Sequence, residues 1–186
     1  MLDRKGSNDY DLRIMNLFVL DTDPSIAAKY NCDLHCNKIL LEFCQMAANC
    51  FTLETLEDAP KTQKGTTRKH SYYNHPVSKW MRQSTANLEW SIEHAIELEN
   101  ERIYRGYNPH FSFAFVEWVL DNISRSIVPT GVLAPFSVAI AEDKNCRKIA
   151  NFNNLHPVEQ YRLYYKYDKP FASWTKREVP DWFLSK

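Results

Sequence analysis

The sequence predicts an all-α, mainly helical fold on three observations. Glycine is scarce, at four in 186 residues, and few segments alternate apolar and polar side chains as strands do. Several windows instead repeat apolar residues at the three-and-four spacing of a helix face. Start and stop signals bracket those windows, with Asp, Ser or His before the first turn and glycine then proline after the last. The length suits one domain, read as 14–186 behind a flexible, polar arm at 1–13. Hydrophobic residues at 44% and aromatics at 13% can supply a core, which excludes a disordered chain.

IMNLFVL (14–20) is a short extended segment, either a strand or the way into the core. DTDPS (21–25) is a turn that caps a helix running from about 25 to 51, with a break near Asn31. LEDAPKTQKGTTRKHS (56–71) carries Pro60, Gly65 and the basic residues Lys61, Lys64, Arg68 and Lys69, and reads as a mobile loop. Pro76 opens a helix over 76–83. A strong helix follows over 85–105 and is stopped by Gly106 and Pro109. A third helical stretch covers 110–122, and 128–155 is irregular. Residues 156–183 read as a helix followed by an aromatic and basic loop.

Composition also limits function. Lys plus Arg and Asp plus Glu both number 23, so any contact with nucleic acid must use a local basic patch rather than overall charge. No run approaches eighteen apolar residues, so no membrane span is expected. The start is polar, unlike a secretory signal. Five cysteines, an odd number, then indicate free thiols in a reducing, cytoplasmic compartment. A monomer is expected.

The chemistry concentrates in CDLHCNKILLEF (32–43). On a helical wheel Glu42 falls about 20° from His35 and Lys38 about 60°, with Asn31, Gln45 and Asn49 in the same stripe. Cys32, Cys36, Ile39 and Phe43 form an apolar arc on one flank, and Leu34 and Leu41 lie on the other. A narrow polar stripe between apolar borders suits a pocket lined by His35, Lys38 and Glu42. It equally suits a partly buried network built on the Lys38–Glu42 pair at i,i+4. The cysteines point into the core arc and match no zinc spacing, so no metal and no cofactor are expected. On 87–106 the wheel gathers Leu88, Ile92, Ala95, Ile96 and Ile103 into one stripe, with Trp90, His94, Glu101 and Arg105 opposite. The Glu101–Arg105 pair then reads as an exposed ion pair. Glu99 falls in the apolar stripe, most cheaply explained by a helix rotated slightly at the surface. Asn74 or His75 caps the helix that Pro76 opens. With Trp80 and Arg82 nearby, the same residues suit either a core tryptophan or a site for a phosphate or base.

These motifs resemble a family of small phage and bacterial proteins with an LD-x-DP turn and a CD-x-H-x-x-K-x-x-x-E helix. More remotely, the order of elements is similar to the pyrimidine-dimer DNA glycosylases of the phage endonuclease V type. That family is a compact all-α domain whose first long helix carries a His and, seven residues later, the catalytic Glu, as His35 and Glu42 do here. Its later Glu-x-x-x-Arg-Gly-aromatic-Asn is matched by Glu101, Arg105, Gly106, Tyr107 and Asn108. The Tyr-x-Asn-His-Pro signature of related bacterial members is matched by Tyr72, Asn74, His75 and Pro76. The resemblance implies a DNA glycosylase. Glu42 would stabilise a sugar cation or activate water, Asp21 and Asp23 are second choices, and His35 would protonate or orient the leaving base. Lys38, Asn74, His75, Trp80, Arg82, Glu101, Arg105, Trp174 and Lys176 would bind DNA or a modified nucleotide. The family's nucleophile, an N-terminal α-amine, sits poorly with the thirteen-residue arm, so its lyase step is not carried over. Lys166, Lys169, Lys176 and Arg177 interleave with Tyr164, Tyr165, Tyr167, Phe171 and Trp174, which reads as a DNA-facing patch or as aromatics packing the tail.

Overall fold

Asp23, His75, Ser84 and His156 each end an irregular segment and begin a helix, and their side chains show why. In this computed structural model, which describes residues 15–185, Asp23 accepts from the backbone N–H groups of Ser25 and Ile26. His75 and His156 accept through Nδ1 from Val77 and Val158, each just ahead of a helix-opening proline. Ser84 accepts from Asn87 N–H. These contacts satisfy amides that a helix start leaves without partners. The helices that follow are α1 (Pro24–Tyr30), α2 (Asp33–Ala47), α3 (Pro76–Met81), α4 (Thr85–Arg105), α5 (Phe113–Asp121), α6 (Pro157–Asp168) and α7 (Asp181–Leu184). No strand occurs among the described residues, so the fold is all-α. The expectation of an arm at 1–13 lies outside them.

The break near Asn31 separates α1 from α2. Asn31 Nδ2 bonds back to the Ala27 carbonyl at 2.9 Å, beside the backbone bond its own N–H makes to the same oxygen, and its extended backbone ends the helix. Gly106 closes α4 in the left-handed region at φ 92°, where a side chain would be strained.

α4 packs against α1, α2, α3 and α5, and this enclosure corrects two readings from the wheel. Trp90, His94, Glu101 and Arg105 are all buried, whereas Ile103, placed in the apolar stripe, is exposed. A helix with neighbours around most of its circumference has no single solvated face. Glu99 is also buried. It pairs with Arg102 at 3.3 Å and accepts from His110 N–H at 2.8 Å, so it is not a surface carboxylate.

Residues 15–20 run without ladder partners, and every one of them is buried. The segment is thus a way into the core. The 56–71 loop is pinned by Arg68, which lies 4.0 Å over the Phe115 ring and donates to the Pro60 carbonyl. Its Thr62–Thr66 turn places Gly65 at φ 73°.

Candidate functional site

α2 carries two buried acids, and the first belongs to the predicted stripe. Glu42 is 3% exposed. Its Oε1 lies 3.1 Å from Lys38 Nζ and its Oε2 accepts from Asn16 N–H at 2.9 Å. Two turns earlier, His35 is buried with its ring stacked on Phe18, centroids 4.1 Å apart and planes within 7°. Phe18 holds a positive φ of 46°, a strained position for a bulky residue. His35 Nδ1 makes a short hydrogen bond with the Tyr165 hydroxyl, which also lies 2.8 Å from Asn31 Oδ1. Phe171, exposed to solvent, meets His35 edge-on.

Lys169 joins the two ends of this face. It is 1% exposed, with its ammonium 4.4 Å from the Tyr164 ring centre and within 6 Å of the Phe18 and Phe171 rings. Its charge acts on both His35 and Glu42. Burial raises the Glu42 pKa above the usual carboxylate value, against the opposing pull of Lys38, Asn16 N–H and Lys169. Burial also drives His35 well below the normal imidazole value, and the neighbouring Lys169 and Lys38 charges push the same way. His35 is therefore neutral near pH 7. This corrects its reading as the proton donor to a leaving base.

Leu34 and Leu41, the apolar flank of the stripe opposite the cysteines, are each 46% exposed. The α2 face is thus enclosed on the cysteine side and meets solvent on the leucine side.

The second acid, Asp33, anchors a different cluster. Its carboxylate accepts from Thr175 N–H, Thr175 Oγ1 and Ser173 Oγ, and pairs with Arg105 Nη1 at 3.0 Å. Arg105 also bonds Glu101 at 3.0 Å and the Lys29 carbonyl, and Arg177 closes on the other side of Glu101. The Arg105 side chain has no exposed surface. The Glu101–Arg105 pair is therefore internal rather than exposed as the spacing alone suggested, and it ties α4 to α2 and to the 173–177 segment.

The remaining predicted residues fall in other places. Asp23 caps α1, and Asp21 pairs with Arg162 at 2.9 Å. Asn74 and Trp80 line a surface cleft of about 380 Å³ with Lys79, Gln83 and Pro135, while His75 caps α3. The Trp80 indole donates to the Ala134 carbonyl. Arg82 stacks 3.5 Å over the Tyr73 ring. Trp174 is buried and donates to the Tyr30 carbonyl, and Lys176 donates to the Tyr104 carbonyl. Tyr164, Tyr165 and Lys169 are inside the protein, so much of the basic and aromatic run packs the tail onto the core.

Asn16, Phe18, Tyr165 and Lys169 complete the Glu42 face, and pattern reading did not assign them to it. Lys169 lies 127 residues beyond Glu42, and no local spacing connects them. No family model, curated protein or solved structure matches the chain.

Proposed function

We propose that this chain cleaves the N-glycosidic bond of a damaged or modified pyrimidine in DNA, with Glu42 stabilising the sugar cation or activating the attacking water. One observation carries the reading. Glu42 is a buried carboxylate whose pKa is raised, two helical turns from a buried neutral histidine and within reach of the Lys38 and Lys169 charges. A buried carboxylate with a raised pKa can both take a proton from water and oppose developing positive charge at a sugar carbon. The neutral His35 would orient a base by hydrogen bonding rather than protonate it. The exposed Phe171 beside His35 supplies a ring on which an unstacked base can rest.

A second reading is favoured by a specific observation. Arg105 and Arg102 are buried and paired with carboxylates, and the partly exposed Arg177 is tied to Glu101. That depletes the surface of phosphate-binding groups and suits a free modified nucleotide better than a long duplex.

The test is a panel of duplexes carrying ultraviolet products or modified pyrimidines, beside the corresponding mononucleotides, given to wild type and Glu42→Gln. Base release from at least one substrate, lost in the variant, supports the reading, and no release from any substrate refutes it. A steep fall in rate with salt marks DNA as the substrate, and indifference to salt marks the nucleotide.

A further inference from the structure

We infer that Tyr165, oriented by Asn31, is a positioning residue that holds His35 as its Nδ1–H tautomer and leaves Nε2 as the imidazole's bare acceptor. At a backbone carbonyl donor and acceptor are not interchangeable. Ala27 O can only accept, so the Asn31 atom 2.9 Å from it is the amide nitrogen. The same nitrogen lies 3.2 Å from His94 Nε2. Asn31 Oδ1 therefore faces Tyr165, and at 2.8 Å it accepts the Tyr165 hydroxyl proton. A phenol has one proton. With it directed at Asn31, the Tyr165 oxygen can only accept from His35, so His35 Nδ1 carries a hydrogen.

A second imidazolium proton on Nε2 is opposed by the surroundings. Lys38 from α2 and Lys169 beyond α6 both bear on the ring, and it is sealed between Phe18 and Tyr165. His94 is likewise an Nδ1–H tautomer, because its Nε2 accepts from Asn31 Nδ2. His94 Nδ1 has no partner among the described residues.

The tautomer stands by itself, but its catalytic meaning rests on the proposed function. There, a ligand reaching His35 meets an acceptor, so the side chain selects a ligand N–H or O–H group and withdraws from acid catalysis.

Two-dimensional ¹⁵N NMR of the histidine side chains in the full chain tests this without substrate. The expected result is a pyrrole-type signal at His35 Nδ1 and a pyridine-type signal at Nε2, unchanged between pH 8 and pH 6. A nuclear Overhauser contact from the Nδ1 proton to the Tyr165 ring is also expected. Tyr165→Phe removes the only acceptor for Nδ1–H in this chain of bonds, and should give a detectable Nε2–H population. An Nε2–H tautomer or a doubly protonated ring in the wild type at pH 7 overturns the inference. So does an unchanged tautomer in a folded Tyr165→Phe. If that variant does not fold, the wild-type tautomer and the Overhauser contact decide alone. Failure of base release with the tautomer confirmed would refute the proposed reaction and leave the tautomer standing.

Discussion

Asp33 and Glu42 lie nine residues apart on α2, and the protein treats their charges in opposite ways. Burial alone would raise the Asp33 pKa, but the hydroxyl and amide of Thr175, the Arg105 guanidinium and the Ser173 hydroxyl outweigh it and hold the carboxyl below its usual value. At Glu42 burial wins over one lysine contact, one backbone amide and the more distant Lys169, and the pKa rises. The first carboxylate is a pin, with each lone pair matched so that α2, α4 and the 173–177 segment share one geometry. The second is held less completely, as a group meant to change its protonation or meet something else would be. Burial and charge alone do not mark a site; the difference lies in how many donors answer the carboxylate.

The sharpest way to break this comparison is Arg105→Ala. It strands Asp33 and Glu101 without their shared cation and should cost about 3–5 kcal/mol of stability in urea unfolding. Asp33→Asn removes the charge that four donors answer and should cost about 2–3 kcal/mol. Glu42→Gln keeps an oxygen for Asn16 N–H and should change stability by no more than about 1 kcal/mol. If Glu42→Gln destabilises as much as Arg105→Ala, Glu42 is another pin and the contrast fails.

Acid sharpens the contrast further. His35 and His94 are neutral in the folded protein because burial lowers their pKa values, that of His94 to about 3. Groups with lowered folded pKa values contribute stability that is complete above the unfolded value near 6.5. It is lost as pH falls below that value, because only the unfolded state takes up the proton. Each such histidine contributes a slope of up to about 1.4 kcal/mol per pH unit. Denaturant midpoints should therefore fall from pH 7 to pH 5, and His94→Gln should flatten that slope. A midpoint constant over this range contradicts the buried neutral histidines. Asp33 adds its own loss only nearer pH 4. The smallest effect is expected at the thiols. All five cysteines are buried and unbridged, and burial lifts Cys36, Cys44 and Cys50 to about 12. A thiol reagent at pH 8 should label none in the folded protein and all five in denaturant.

The helices were readable because their signals are local. Asp23 before Pro24, His75 before Pro76, Ser84 before α4 and Gly106 after it are each a few residues from what they cap, so the sequence shows them directly. The His35–Lys38–Glu42 face was readable for the same reason. What the sequence hid is long-range. Glu101 and Arg105 look like an ordinary surface pair until Asp33 and Arg177 come in from distant segments. Lys169 looks like one more base in an aromatic tail until α6 turns it inward against Phe18 and Tyr164. The left-handed backbone of Phe18 has no signature at all, since nothing about phenylalanine favours it.

The central claim is that Glu42 is held for chemistry and Asp33 for structure. Its most direct test is base release from damaged or modified pyrimidine substrates by wild type and Glu42→Gln, measured on samples whose unfolding midpoints match. The account predicts release by the wild type, with a loss of at least about 100-fold in a variant that is as stable as its parent. Equal rates in the two proteins, or no release from any substrate by the wild type, would contradict it.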